Sequence, residues 1–232
     1  RYKYLGDSDF TNIKINNFLT KKYLRQIANQ ISTNKKKESN IRINDELFIP
    51  TSTTHFSVIY VYGNVASITS SIENTFGSRL MTSGFLLNNQ LSDFNFKIEG
   101  NLFKNNIVEP KKKPLSSMSP TIIFDKNNNV KMVIGSPGGK SIIMYVVKTI
   151  VAVLDWKMGI EEAVDFPNFS IYKDKILIEK NRFDKEFKEY LSSLGHLIVE
   201  KEMNSGLNGF EIKDGVIFGV ADKRRNGLVV YN

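Results

Sequence analysis

Four short groupings in the 232-residue chain hold residue types that could do chemistry. The first is Thr53-Thr54-His55-Phe56-Ser57. A threonine hydroxyl is a poor nucleophile unless a base sits beside it, and an N-terminal threonine carries its own base in its α-amine. Cleavage between Ser52 and Thr53 would free such an amine at the start of a strand; the same Thr-Thr pair also reads as ordinary β-propensity. The second is Gly135-Ser136-Pro137-Gly138-Gly139, between a strand and a helix. Gly138 and Gly139 could aim backbone N–H groups at a developing oxyanion with help from the helix dipole, or simply allow a tight turn with positive φ. The third packs Ser116, Ser117 and Ser119 between Pro114 and Pro120, a rigid hydrogen-bonding loop for a carboxylate or an ordered turn. In the fourth, Asn88-Asn89-Gln90-Leu91-Ser92-Asp93-Phe94, Asp93 could receive a substrate ammonium or cap a turn.

Composition narrows the alternatives. Cysteine is absent, which removes disulfides and thiolate metal sites. His55 and His196 are the two histidines, too few for a multi-histidine metal centre, and nucleophile-and-oxyanion chemistry of the kind above needs neither metal nor organic cofactor. The formal charge is +8, and residues 1–52 carry ten Lys/Arg against five Asp/Glu. Such a balance suits a polyanionic partner, or a solvated basic surface. The longest apolar stretch, Ile142–Leu154, is interrupted by Lys148 and is too short to cross a bilayer. The chain begins at Arg1 without an initiator methionine or a secretory signal.

The elements that must position these groups follow from periodicity. Thr20 predicts an N-cap for a helix over Lys21–Ile31, and residues 32–40 a polar linker. Alternation predicts a hairpin of residues 56–62 and 65–72 turning at Gly63-Asn64. Strands are expected at 121–125 and 130–135, then a helix over Lys140–Trp156, apolar nearly all round. Short helices at 160–164 and 184–194 precede strands at 210–212, 216–221 and 228–231. Strands, central helices and strands again predict a layered α+β core.

The order of these groupings resembles that of the γ-glutamyltranspeptidases, members of the N-terminal-nucleophile hydrolases. The resemblance rests on TTHFSV, GN, FGS, GFLLNNQLSDF, KPLSSMSPT and GSPGGK in succession, and runs from Tyr4-Leu5-Gly6-Asp7-Ser8-Asp9-Phe10 to Asn226. It implies a four-layer αββα N-terminal-nucleophile fold, incomplete at the N-terminal side. Residues 1–52 resemble the end of the large subunit with a basic linker, and residues 53–232 the small, catalytic subunit. By resemblance, Thr53 cleaves the Ser52–Thr53 bond and then serves as nucleophile. Ser71 stands where the family has a second hydroxyl, normally threonine. Glu73, where many members have asparagine, Gln90 and Asp93 fall at donor-binding positions. Ser116 and Ser117 would hold the donor's α-carboxylate, and Gly138 and Gly139 the oxyanion. The substrates implied are γ-glutamyl compounds, with water or an amine as acceptor and no nucleic acid. The absent front of the large subunit is an expected partner, and the family's usual export is expected too.

Two features resemble the capsule poly-γ-glutamate depolymerases of that family. The segment from Asp93 to Pro114 is short, and the tail Gly219–Gly227 places Arg225 to contact a polymer. Arg224, Arg225 and Lys111-Lys112-Lys113 are expected to rim an open cleft. An inactive, truncated member is a further alternative. After Asp165-Phe166-Pro167 the family usually has arginine, and here Asn168 stands.

Overall fold

The computed structural model describes residues 4–31, 51–96, 104–172 and 174–231, so the expected linker at 32–40 lies outside them. The chain divides into two compact units. The smaller comprises Arg1–Asn40 and Asn89–Ser116, and the larger Ile41–Asn88 and Ser117–Asn232.

In the smaller unit Thr20 caps helix α1 (Lys21–Ala28), its side chain accepting from the Tyr23 N–H at 3.2 Å. The helix stops one turn earlier than its periodicity predicts. Asp7 organises the second segment, accepting from the Lys113 N–H at 2.7 Å and the Asp9 N–H at 3.1 Å. Those two amides, with the Lys113 cation, hold the Asp7 carboxyl below its ordinary range.

The larger unit opens with the predicted hairpin, β1 (Thr51–Ile59) against β2 (Val65–Asn74), antiparallel. Two-residue strands β3 (Met81–Thr82) and β4 (Phe85–Leu86) follow. Strands β5 (Thr121–Phe124) and β6 (Val130–Gly135) join β10 (Asn208–Lys213) and β11 (Val216–Ala221) in an antiparallel sheet of order β11-β10-β6-β5. Between them run helices α2 (Ile142–Leu154) and α3 (Ile160–Asp165) and a three-stranded sheet. Its members are β7 (Phe169–Tyr172), β8 (Lys175–Glu179) and β9 (Leu197–Lys201), with helix α4 (Lys185–Ser193) before β9. The sequence reading missed β7, β8 and β9, whose apolar runs are short and set among charges.

Strand β6 is the spine, because both its faces are covered. Met132 and Ile134 pack into the apolar core with Ile142, Tyr145 and Val146 of α2 and Val164 of α3. Val133 and Gly135, of opposite parity, face the β1–β2 pair, where the His55 ring lies against Gly135. The layers therefore run helix, sheet, strand pair within this unit.

Two sequence expectations are corrected. Helix α2 is buried along one stripe, and Val147 on its other side and Trp156 beyond its end are about half exposed. Residues 228–231 form no strand; they lie beside β11, where the Tyr231 hydroxyl accepts from the Gly219 N–H at 3.2 Å. Bulky Val229 and Tyr231 crowd Gly219, so side chains rather than a backbone ladder make that contact.

Candidate active site

The alternation of β1 decides which of its residues can act. Thr53, His55 and Ser57 point to the sheet-facing side, whereas Thr54, Phe56 and Val58 point outward and are exposed. Thr53 pairs with Ser71 across the hairpin, and the ladder shifts register between Thr51 and Thr53. The extra residue sits on β2, where Glu73 adopts φ 71°, an uncommon conformation for a side-chain-bearing residue. That bulge turns the Glu73 N–H onto Ser71 Oγ at 3.0 Å. Ser71 Oγ in turn lies 3.0 Å from Thr53 Oγ1. Ser71 Oγ thus links the Glu73 amide to Thr53 Oγ1, and either hydroxyl can be the donor between them. Thr53 is 6% exposed, so its hydroxyl is shielded yet borders an open cleft shared with Pro137, Gly206, Asn208 and Arg225.

Gly138 and Gly139 follow Pro137 directly, at φ 131° and 57°. Both conformations suit glycine, and a Cβ on Gly138 would stand 2.6 Å from the Tyr145 ring. The pair leads through a single 3-10 turn, Gly139–Ser141, into α2. Its amides thus sit at the positive end of a 13-residue helix.

His55 was not assigned a role from sequence, although it stands two residues from Thr53 on the same face. Its Nδ1 lies 2.7 Å from Thr69 Oγ1 and its Nε2 3.0 Å from Ser57 Oγ. Burial pulls its pKa down to about 4, so it is neutral at pH 7. Any Cβ at Gly135 would meet the imidazole at 2.2–2.6 Å, so glycine is needed for the ring to lie on the β6 backbone. Asn208 ties the two sheets, its Oδ1 accepting from the Ser57 N–H at 3.2 Å.

Arg225 also belongs to this site. Its Nη1 donates to the Thr53 carbonyl at 3.3 Å and its Nε to the Asn204 carbonyl at 3.1 Å. The neighbouring Arg224 behaves differently from its sequence expectation. It grips Glu179 with Nε at 2.6 Å and Nη2 at 2.9 Å, reaches Asp222 with Nη1 at 3.2 Å, and has a side chain only 12% exposed. An arginine spent on a buried bidentate pair does not rim a cleft. Lys112 is likewise withdrawn in the smaller unit, 2.7 Å from Glu109 and over the Phe10 ring.

Glu179 and Asp222 anchor a buried polar network that sequence reading missed, because its members are scattered along the chain from Lys148 to Arg224. Asn168 donates to Ser205 Oγ at 2.7 Å, Ser205 donates to Asp222, and the Asn168 N–H donates to Glu179 at 2.7 Å. Lys148 joins it from the buried stripe of α2, donating to the Phe166 carbonyl at 2.6 Å and Asn168 Oδ1 at 3.1 Å. Burial, with Arg224 nearby, drives the Lys148 pKa down to about 7. Lys148 and Arg224 both cap carbonyls at the C-terminal end of α3, where cations are favoured.

The remaining predicted residues fall as follows. Gln90 and Asp93 lie on one 3-10 turn of the smaller unit, with Gln90 Nε2 donating to Asp93 Oδ2 at 2.5 Å. Ser116 ends that unit and is exposed; Ser117 opens the larger unit's second segment, its carbonyl accepting from Ser119 Oγ at 3.1 Å. Ser52 lies in β1, but its side chain is outside the described set. Among the described residues no cluster of three or more His, Asp or Glu is arranged to hold a metal, and no helix is long and apolar enough to cross a membrane.

Known proteins share the sequence and fold of this chain. The family model for gamma-glutamyltranspeptidase matches residues 1–231. The glutathione hydrolase proenzyme of Escherichia coli (strain K12) is 34% identical over 241 residues, covering 97% of this chain and 40% of that protein. The capsule biosynthesis protein CapD proenzyme of Bacillus anthracis is 32% identical, covering 98% of this chain and 40% of that protein. The chain thus spans about 40% of the length of these curated relatives. The crystal structure of a mutant Helicobacter pylori gamma-glutamyltranspeptidase superposes with a TM-score of 0.68 at 38% identity, covering 74% of this chain and 99% of that one. The predicted α+β, N-terminal-nucleophile fold is therefore the fold of this chain, which belongs to the γ-glutamyltranspeptidase family.

Proposed function

We propose that this chain carries the nucleophile of an amide acyl transferase acting on γ-glutamyl compounds, glutathione among them. The observation that carries the reading is the Thr53 Oγ1–Ser71 Oγ pair at 3.0 Å, set on a bulge at the junction with Ser52 and opening on a cleft. Cleavage of the Ser52–Thr53 bond divides the chain into residues 1–52 and 53–232 and frees the Thr53 amine. That amine takes the hydroxyl proton as Oγ1 bonds to the γ-carbonyl carbon. The carbonyl oxygen becomes an oxyanion, met by the Gly138 and Gly139 amides. The C–N bond then breaks, the leaving amine takes the proton, and water or an acceptor amine releases the γ-glutamyl group from Oγ1.

Gln90, Asp93 and Glu73 serve the donor's α-amino end, and Ser116 and Ser117 its α-carboxylate. A zwitterionic glutamyl head requires this mix of anion and neutral donors. No metal or organic cofactor enters these steps. Segments found in the longer relatives complete the donor site, and the protein works outside the cytoplasm, as the family does. A second reading follows the resemblance to capsule poly-γ-glutamate depolymerases and takes poly-γ-glutamate as the donor; the Bacillus anthracis relative is a capsule biosynthesis protein.

The test is a chase with a γ-glutamyl anilide, read by mass spectrometry. A γ-glutamyl adduct on the fragment that begins at Thr53, absent in Thr53→Ala, is the expected result. Anilide turnover that survives Thr53→Ala would contradict the proposal. Shortening of poly-γ-glutamate by the same preparation separates the two donors.

A further inference from the structure

Arg225 reaches Thr53 from a turn that the rest of the fold holds in place. Asp222, 2% exposed, accepts from the Arg224 N–H at 2.9 Å and so shapes the Lys223–Arg225 turn. Arg224 is locked on Glu179, which fixes the backbone one residue from Arg225. Gly206 supplies the room: a Cβ there would stand 3.0 Å from Arg225 Cδ and 2.7 Å from Pro137 Cγ. With Nη1 on the Thr53 carbonyl and Nε on the Asn204 carbonyl, two of the fork's donors are spent on backbone.

We propose that Arg225 is a positioning residue for the freed Thr53 amine, fixing its direction toward Oγ1 and holding it in the neutral form that can accept the hydroxyl proton. This rests on the function proposed above. The Thr53 nitrogen is bonded to the Cα beside the carbonyl that Arg225 Nη1 reaches at 3.3 Å, which makes the guanidinium its neighbouring cation. A cation so placed disfavours the ammonium form and draws the amine below its ordinary value of about 7.7–8.0. Pinning the carbonyl also fixes rotation about the Cα–C bond. Among the described residues, the charged or titratable groups on the surrounding elements are these. His55 on β1 is neutral, Glu73 stands on β2, Tyr145 of α2 is pushed up to about 12 by burial, and Asp222, Arg224 and Glu179 satisfy one another.

The experiment uses the full expressed chain as wild type, Arg225→Gln and Arg225→Lys. Labelling of the Thr53 α-amine by an acylating reagent is followed against pH by mass spectrometry, beside the pH profile of anilide hydrolysis. The wild-type amine is expected to titrate below about 7.7. Arg225→Gln should move that midpoint, and the acid limb of the rate, upward by on the order of one pH unit. Arg225→Lys, which keeps the cation, should move them less than half as far. A wild-type midpoint in the ordinary range overturns the proposal without reference to any variant. So does an Arg225→Gln profile that raises KM while leaving the acid limb in place, the signature of a substrate contact. A wild type that never yields a Thr53 N-terminus contradicts the function itself and leaves this device no amine to act on.

Discussion

At the scale of single residues, the site is a short relay of hydroxyls and one buried imidazole. Ser71 accepts the Glu73 amide and shares a hydrogen bond with Thr53 Oγ1, so one side chain joins the bulge to the proposed nucleophile. Ser71→Ala should slow cleavage and turnover about tenfold, the rate equivalent of one lost hydrogen bond, while Ser71→Thr keeps most of the rate. Single-turnover kinetics on the two variants reads this directly. His55 makes a second prediction, on stability. Its folded pKa of about 4 lies below the ordinary 6.5, so the unfolded chain binds more protons between those values. The contribution is therefore complete above pH 6.5 and lost as pH falls toward 4. Denaturant melts should show a loss on the order of 2 kcal/mol over that window after allowance for solvent screening. His55→Gln should flatten that limb. Thr53, Gly138 and Gly139 could be singled out from sequence by the order in which their motifs follow one another, since each motif alone reads equally as an ordinary strand start or turn. His55 and Asn208 could not, because their value depends on which strand they face.

At the scale of elements, close approach of the β1–β2 pair to β6 sets the site. The alternation of β1 was legible, but its sense was not: polar Thr53, His55 and Ser57 face inward, whereas apolar Phe56 and Val58 face outward. Gly135 makes the contact possible, since any side chain would collide with the His55 ring. Gly135→Ala should destabilise the protein by about 1–3 kcal/mol through overpacking. Because the collision lifts the strand that carries Thr53, it should slow cleavage as well; a variant that melts lower yet cleaves at the wild-type rate would separate that packing from catalysis. The predicted helix and strands around the glycine motif matched their elements closely, because α2 is a long apolar run and β5 and β6 flank an asparagine-rich turn. The three-stranded sheet escaped notice because β8 and β9 pair in parallel across α4, a long-range pairing that no local pattern encodes.

At the scale of the whole chain, two compact units carry different parts of the predicted site. Thr53, Ser71, Glu73, Gly138, Gly139 and Arg225 belong to the larger, and Gln90, Asp93 and Ser116 to the smaller. The larger also holds the network from Lys148 through Asn168, Ser205 and Asp222 to Arg224 and Glu179, which braces the Arg225 turn. Lys148 brings a cation to Asn168 from α2, a contact visible only once the chain is folded. The central claim is that Thr53 becomes an N-terminal nucleophile, and the intact mass of the expressed chain tests it most directly. The account predicts that the wild type resolves into two species divided at Ser52–Thr53, the larger beginning with Thr53, while Thr53→Ala stays whole. A wild type that remains one chain, or a Thr53→Ala variant that still splits at that bond, would contradict it.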